Sequence, residues 1–152
     1  MSEVTLELVQ ARQAELAQLI EQLKREPAPR TRLSVPAIDI ELAPGEHYAG
    51  AVLDEQGHLK HHLVLMSAMP ESELDWQAAM DWAATVGGAL PTRQEQALLY
   101  ANCKPHLEPE WHWSCETEGS SYAWDCDFDG GYQRYSFRSA EGAAVAVRRF
   151  KG

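Results

Sequence analysis

The sequence predicts an α+β protein, and three observations carry that prediction. A long amphipathic segment opens the chain, a proline-rich stretch interrupts it, and beyond it short strand-like runs flank two helical ones. At 152 residues, 45% hydrophobic and with five tryptophans, the chain is long enough to bury one genuine core.

Leu6, Val9, Leu16, Ile20 and Leu23 recur at 3,4 spacing, with Gln13 in the remaining a-type position, which predicts one helix over 3–26. So short a heptad run is marginal alone. Docking on its own domain, self-association in a short bundle and recruitment of another protein all remain open roles. Pro27, Pro29 and Pro36 each oppose helix continuation, so "EPAPRTRLSVP" reads as a semi-rigid linker. The predicted organisation is a helix segment 1–26, a linker 27–36 and a domain 37–152.

Within that domain "IDIEL" alternates apolar and acidic residues and predicts a strand. "HYAGAVLDEQGHLKHHLVLM" predicts a hairpin turning at Asp54–Gly57. Trp76, Ala79, Met80 and Ala83 share one face of a helix over about 73–86, stopped by Gly87-Gly88. A second helix opens at "PTRQE", where Thr92 and Glu95 have capping-box spacing. Strands are predicted again at about 111–116, 122–128, 132–138 and 143–150, the last of small apolar, buried character.

Charge and cysteine usage narrow the function. A net charge of −10 argues against binding a phosphate backbone and suits a basic partner. Glu108, Glu110, Glu116, Glu118, Asp125, Asp127 and Asp129 concentrate acid in a stretch without Lys or Arg. Cys103, Cys115 and Cys126 form no CxxC pair and read as reduced, partly buried thiols. Apolar runs are only a few residues long, which predicts no membrane span. "MSEVTLELVQ" has neither a basic nor an apolar signal region, which predicts cytoplasmic synthesis.

The ordered set "GEHYAGAVL", "HHLVL", "DWQAAMDWAATVGGALPTRQEQALLYAN", "WHWSCE", "YAWDCDFDGG" and "SAEGAAVAVRRF" resembles the Lcl C-terminal-type family, domain of unknown function 1566, over about residues 40–150. The specificity lies in the order rather than in any one piece. The resemblance implies a C-type-lectin-like domain, two helices plus antiparallel sheets, related to the formylglycine-generating-enzyme superfamily and to variable domains of phage retroelement target proteins. Members with an N-terminal heptad-like helix and "LPTRQEQALLYAN" look like those of phages and prophages. A stable scaffold with a tolerant binding surface is implied, in a host cell's cytoplasm or on a virion. No reaction or general ligand is implied.

Each candidate chemistry in 111–138 has a plainer competitor. "DCDFDG" matches the opening D-x-D-x-D-G of a calcium loop, but Ser136 stands where a bidentate glutamate belongs. Strand periodicity explains the same residues, with Asp125, Asp127 and Asp129 on one face and Trp124, Cys126 and Phe128 on the other. The Glu-Pro-Asn or Gln-Pro-Asp and Trp-Asn-Asp motifs of sugar-binding C-type lectins are missing. His58, His61 and His62 cluster near His47, yet adjacent strand residues point oppositely, so His61 and His62 cannot chelate together. Nothing lowers a cysteine pKa, and no nucleophile, base and orienter set is visible, so a metal-free, cofactor-free non-enzyme is expected.

Aromatic recognition remains. Trp113, Trp124 and Phe128 sit at family-matching positions and are expected in the core, with Cys126. Trp111, His112, Tyr122, Tyr132, Arg134 and Tyr135, with Asp125, Asp127 and Asp129, are the candidate partner-binding face, since Tyr, Trp and Arg commonly anchor interfaces. Glycine-marked turns at "EGSS" and "DGG" would present them on loops. Arg93, Arg138, Arg148 and Arg149 are expected to be architectural. The expected function is capture of a partner, most readily a protein. An acidic inhibitor that imitates a phosphate backbone for a host defence or nucleic-acid enzyme, and a virion adhesion accessory, are the alternatives.

Overall fold

The structure is a computed structural model and describes residues 3–151. Residues 1–2 and 152, assigned above to the helix segment and the domain, lie outside the described residues. The chain divides into two compact units, Met1–Ala37 and Ile38–Gly152.

The first unit is α1 (Leu6–Arg25). Thr5 caps it, its hydroxyl accepting the Leu8 amide at 3.2 Å. Glu7 in the first turn and Lys24 and Arg25 in the last complement the helix dipole. At Glu26 the backbone becomes extended, as the residue before a proline prefers.

The second unit is α+β, with two three-stranded antiparallel sheets. One has the order β1 (His47–Leu53), β2 (Leu59–Leu65), β6 (Val147–Phe150). The β1–β2 turn is tied by Asp54, whose Oδ1 accepts the amides of Gln56 and His58. The other sheet joins β3 (Trp111–Glu118), β4 (Tyr122–Asp127) and β5 (Gln133–Phe137) in sequence order. Between the sheets in sequence lie α2 (Trp76–Thr85), capped by Asp75, and α3 (Arg93–Cys103), opened by a full capping box of Thr92 and Glu95. Gly87, at φ +83°, ends α2, with its amide on Ala84 O and that of Gly88 on Ala83 O.

Two predicted strands come out differently. "IDIEL" joins no sheet. Arg148 Nη2 donates to the Glu41 carbonyl at 2.5 Å, so a side chain takes an acceptor that a neighbouring strand would have used. The predicted 143–150 strand is regular only from Val147. Ala143–Ala146 instead forms a buried seam between the sheets. Trp113 N donates to Ala143 O in one direction, and Met66 N to Ala146 O in the other. Ala144 and Ala146 pack in one cluster with Trp113 and the α2 alanines Ala79 and Ala83, where little room is left for larger side chains, while Val145 faces the other cluster. A second cluster packs Leu63, Leu65, Leu99, Cys126, Phe128 and Val147 beneath α3.

Glu95 fastens these layers together. It is fully buried, and its carboxylate accepts from Arg149 Nη2 at 2.7 Å, Arg149 Nε at 2.9 Å and the Thr92 amide at 2.9 Å, with His61 Nε2 at 2.7 Å. It thus joins its own helix start to β2 and β6. Burial pushes the carboxyl pKa up, but the hydrogen bonds from Arg149, Thr92 and His61 outweigh it and hold it at about 2. Arg148 makes a parallel clamp on Glu46 at 2.9 Å. Arg148 and Arg149 are therefore architectural.

Acid should find this hub first. A carboxyl held at about 2 against an ordinary 4.5 stabilises the fold by roughly 3 kcal/mol above pH 5, and the contribution fades as pH falls towards 2. Glu95→Gln should lower stability at pH 7 by about 3 kcal/mol and flatten the acid limb of a stability–pH curve measured by urea unfolding. An acid limb of unchanged slope in the variant would locate the acid sensitivity elsewhere.

Candidate functional site

The candidate face is built on β4 and β5. Their register sets Tyr122 opposite Phe137 and Trp124 opposite Tyr135, so these four rings stand on one side of the hairpin. They form a continuous row. Phe137 and Tyr122 are stacked at 4.7 Å, Tyr122 and Tyr135 meet edge-on at 5.3 Å, and Tyr135 and Trp124 at 5.1 Å. The guanidinium of Arg93 closes the row, 3.5 Å from the centre of the Trp124 ring.

Each end of the row is fixed. Arg93 Nε donates to Gln133 Oε1 at 3.2 Å, while Gln133 Nε2 donates back to the Arg93 carbonyl at 2.6 Å. Trp124 Nε1 donates to Glu118 at 3.1 Å. At the other end Arg138 donates to the carbonyls of Tyr122 and Gly119, its guanidinium 5.0 Å from the Trp76 ring. Phe137 remains 58% exposed and Tyr135 49%, so the row is solvent-facing over a large part of its length.

The candidate residues divide accordingly. Tyr122 and Tyr135 belong to the row, and Tyr132 stands 71% exposed on the turn before β5. Arg134 is exposed and reaches Asp125 at 3.7 Å. Asp127 is half-buried and Asp129 exposed, but Asp127 Oδ1 accepts the Asp129 amide at 2.8 Å and so shapes the turn. Trp111 is half-buried, edge-on to Trp113 at 5.0 Å and backed by Gly142, where no side chain would fit.

Three expectations are corrected. His112 is completely buried: it faces Phe128 at 4.8 Å and its Nδ1 lies 2.8 Å from the Glu110 carbonyl. Asp125 is also sealed, its Oδ2 accepting from the Ser136 hydroxyl at 2.7 Å. Neither can be presented to a partner. Trp124, expected in the core beside Cys126 and Phe128, is half-buried and part of the exposed row, because α3 covers Cys126 and Phe128 but leaves the far end of β4 open. Sequence reasoning missed Phe137, Trp124 and Arg93 as members of this face. The signal was there in the paired i,i+2 aromatics, Tyr122/Trp124 and Tyr135/Phe137, on neighbouring strands.

Other chemistries find less support in the geometry. The aspartates of "DCDFDG" do not converge, since Asp125 points into the fold and Asp129 lies beyond the end of the strand. Among the described residues no three His, Cys, Asp or Glu side chains gather where they could hold a metal ion. His61 serves Glu95, His62 Nδ1 lies 2.8 Å from the Tyr48 hydroxyl, and His47 stacks on His106 at 3.5 Å. Burial raises the pKa of all three thiols, that of Cys126 to about 11, leaving them protonated at neutral pH. Cys115 packs with the α2 cluster and Cys126 with the α3 cluster. A cleft of about 730 Å³ beside the face is lined by Lys60, Arg93, Arg149 and Lys151. The helix-start amide it could offer an anion, that of Arg93, is already taken by Glu116 at 2.6 Å.

No family model matches the chain, and no curated protein matches it. Among the described residues no helix is long and apolar enough to cross a membrane.

Burial pushes the Asp125 carboxyl pKa up, and the Ser136 hydroxyl and the Arg134 charge only partly oppose it. A raised carboxyl pKa means that the charged form costs stability at neutral pH and that the cost disappears on acidification. Asp125→Asn keeps an acceptor for Ser136 and removes the charge. Its melting temperature should rise by about 2–4 °C at pH 7, with a smaller gain near pH 4. A fall at pH 7 would show that Arg134 stabilises the charged carboxylate after all.

Proposed function

We propose that this chain is a non-catalytic binding protein that captures a protein partner on the aromatic row of β4 and β5. The row itself supports the reading. Four rings and a guanidinium lie in continuous contact on a strand hairpin, anchored by hydrogen bonds at both ends. Tyrosine, tryptophan and arginine dominate interface energetics because they offer wide contact at small rotamer cost. Here that cost is smaller still, since Arg93 and Trp124 are already held. The net charge of −10 would steer a basic partner towards the molecule.

The ordered motifs over residues 40–150 suggest a C-type-lectin-like scaffold of the Lcl C-terminal type, in its phage and prophage form. An α+β unit with two helices and two antiparallel sheets is compatible with that suggestion. On this reading the partner belongs to a host cell or to a virion.

Immobilised protein should retain a host-cell partner from lysate, identified by mass spectrometry and then titrated in purified form. Tyr135→Ala with Phe137→Ala should weaken that purified interaction at least about 100-fold, as expected for two anchor residues, while the melting temperature moves by only a few degrees. Affinity within about threefold of the parent would rule out the row as the binding face. A partner that proves to be a nucleic-acid enzyme, blocked in competition with its substrate and indifferent to the double change, would favour phosphate imitation instead.

A further inference from the structure

The binding face leaves α1 unexplained. Its a and d positions are Leu6, Val9, Gln13, Leu16, Ile20 and Leu23, and none of its residues is buried. Leu6 is 72% exposed and Leu23 68%. A helix of 20 residues carrying such a stripe is marginal in water unless the stripe is covered. We propose that the cover is α1 of a second copy of this chain, laid antiparallel about a two-fold axis.

The stripe is complementary to its own reverse. Laid antiparallel, Leu6 faces Leu23 of the second copy, Val9 faces Ile20, and Gln13 faces Leu16, so every layer from one end to the other pairs an a with a d position. The two polar Gln13 layers fall next to each other at the axis, where their amides can bond across it. In that arrangement the alkyl stem of Arg12 of the second copy would lie beside Leu19, itself 57% exposed, and cover it.

Charge selects this orientation over the parallel one. The first turn carries Glu7 and the last turn Lys24 and Arg25. Parallel helices would set acid beside acid, base beside base, and dipoles in alignment. Antiparallel helices bring the acidic start of each beside the basic end of the other, within one Debye length, with opposed dipoles. The contact is isologous and closes at two copies. It makes no use of the aromatic row, so either inference stands if the other fails.

Sedimentation equilibrium of the full chain at tens of micromolar should give twice the 17.0 kDa chain mass. Leu16→Glu should reduce it to a single chain. Tryptophan emission should stay unchanged, because all five tryptophans lie in 76–124, outside α1. Orientation is read from a nitroxide at Arg25→Cys in a Cys115→Ser background. Antiparallel pairing places the two labels about 30 Å apart along the axis, from a rise of 1.5 Å per residue, whereas parallel pairing leaves them about 10–15 Å apart. A monomeric parent, a trimer or larger assembly, a dimer that survives Leu16→Glu, or the short label distance would each overturn the proposal.

Discussion

The structure depends on one buried carboxylate. Glu95 sits where the start of α3 meets β2 and β6, and four hydrogen-bonding contacts converge on its two oxygens. Such a charge is tolerated in an interior only when both oxygens are occupied, and here they are. The consequence reaches the surface. Glu95 and Arg93 share the first turn of α3, so fixing the one inward aims the other outward onto Trp124. Gln133 then ties that turn to β5 through a reciprocal pair of hydrogen bonds. The position of the aromatic row relative to the rest of the unit is thus tied, through Arg93 and Gln133, to the helix start that Glu95 fastens.

The second constraint is the unequal cover on β4. Residues 122, 124, 126 and 128 share one side of the chain here, but α3 covers only Cys126 and Phe128. Cys126 and Phe128 become core, while Tyr122 and Trp124 find cover only in other rings and in Arg93. On the opposite side Asp125 meets the packed layer containing Trp113 and Ala123, so a carboxylate is buried where pattern rules would place a hydrophobe. Ser136, across the ladder, makes this tolerable by donating a hydroxyl to it.

How much of this was legible in the sequence depended on the range of the interaction. The Thr92–Glu95 capping box, the Asp54 turn and the Gly87-Gly88 stop are each complete within a few residues, and each could be read directly. The α+β class followed from the order of strand-like and helical runs that these signals delimit. "IDIEL" failed because its carbonyl partner, Arg148, lies over a hundred residues away. The 143–146 seam failed because small apolar residues read as a strand, whereas here they mark a place where two sheets and a helix crowd together. In the candidate site the strand period was legible, and Cys126 and Phe128 are buried as expected. That Trp124, on the same side, joins Tyr122 in the exposed row was not, because it is decided by how much of β4 α3 covers rather than by anything within 111–138.

A face carried on paired strands behaves differently from one carried on loops. Loop-borne tyrosines must be ordered when a partner arrives, and that ordering subtracts from affinity. The register of β4 and β5 already fixes the spacing of Tyr122, Trp124, Tyr135 and Phe137, and the ring contacts restrict their rotamers. Recognition by such a row should favour a partner with a flat or slightly convex apolar surface, since the rings cannot close around a protruding one. Tyr132, on the neighbouring turn, is 71% exposed and stands outside that set of ring contacts, its ring lying against Gly130.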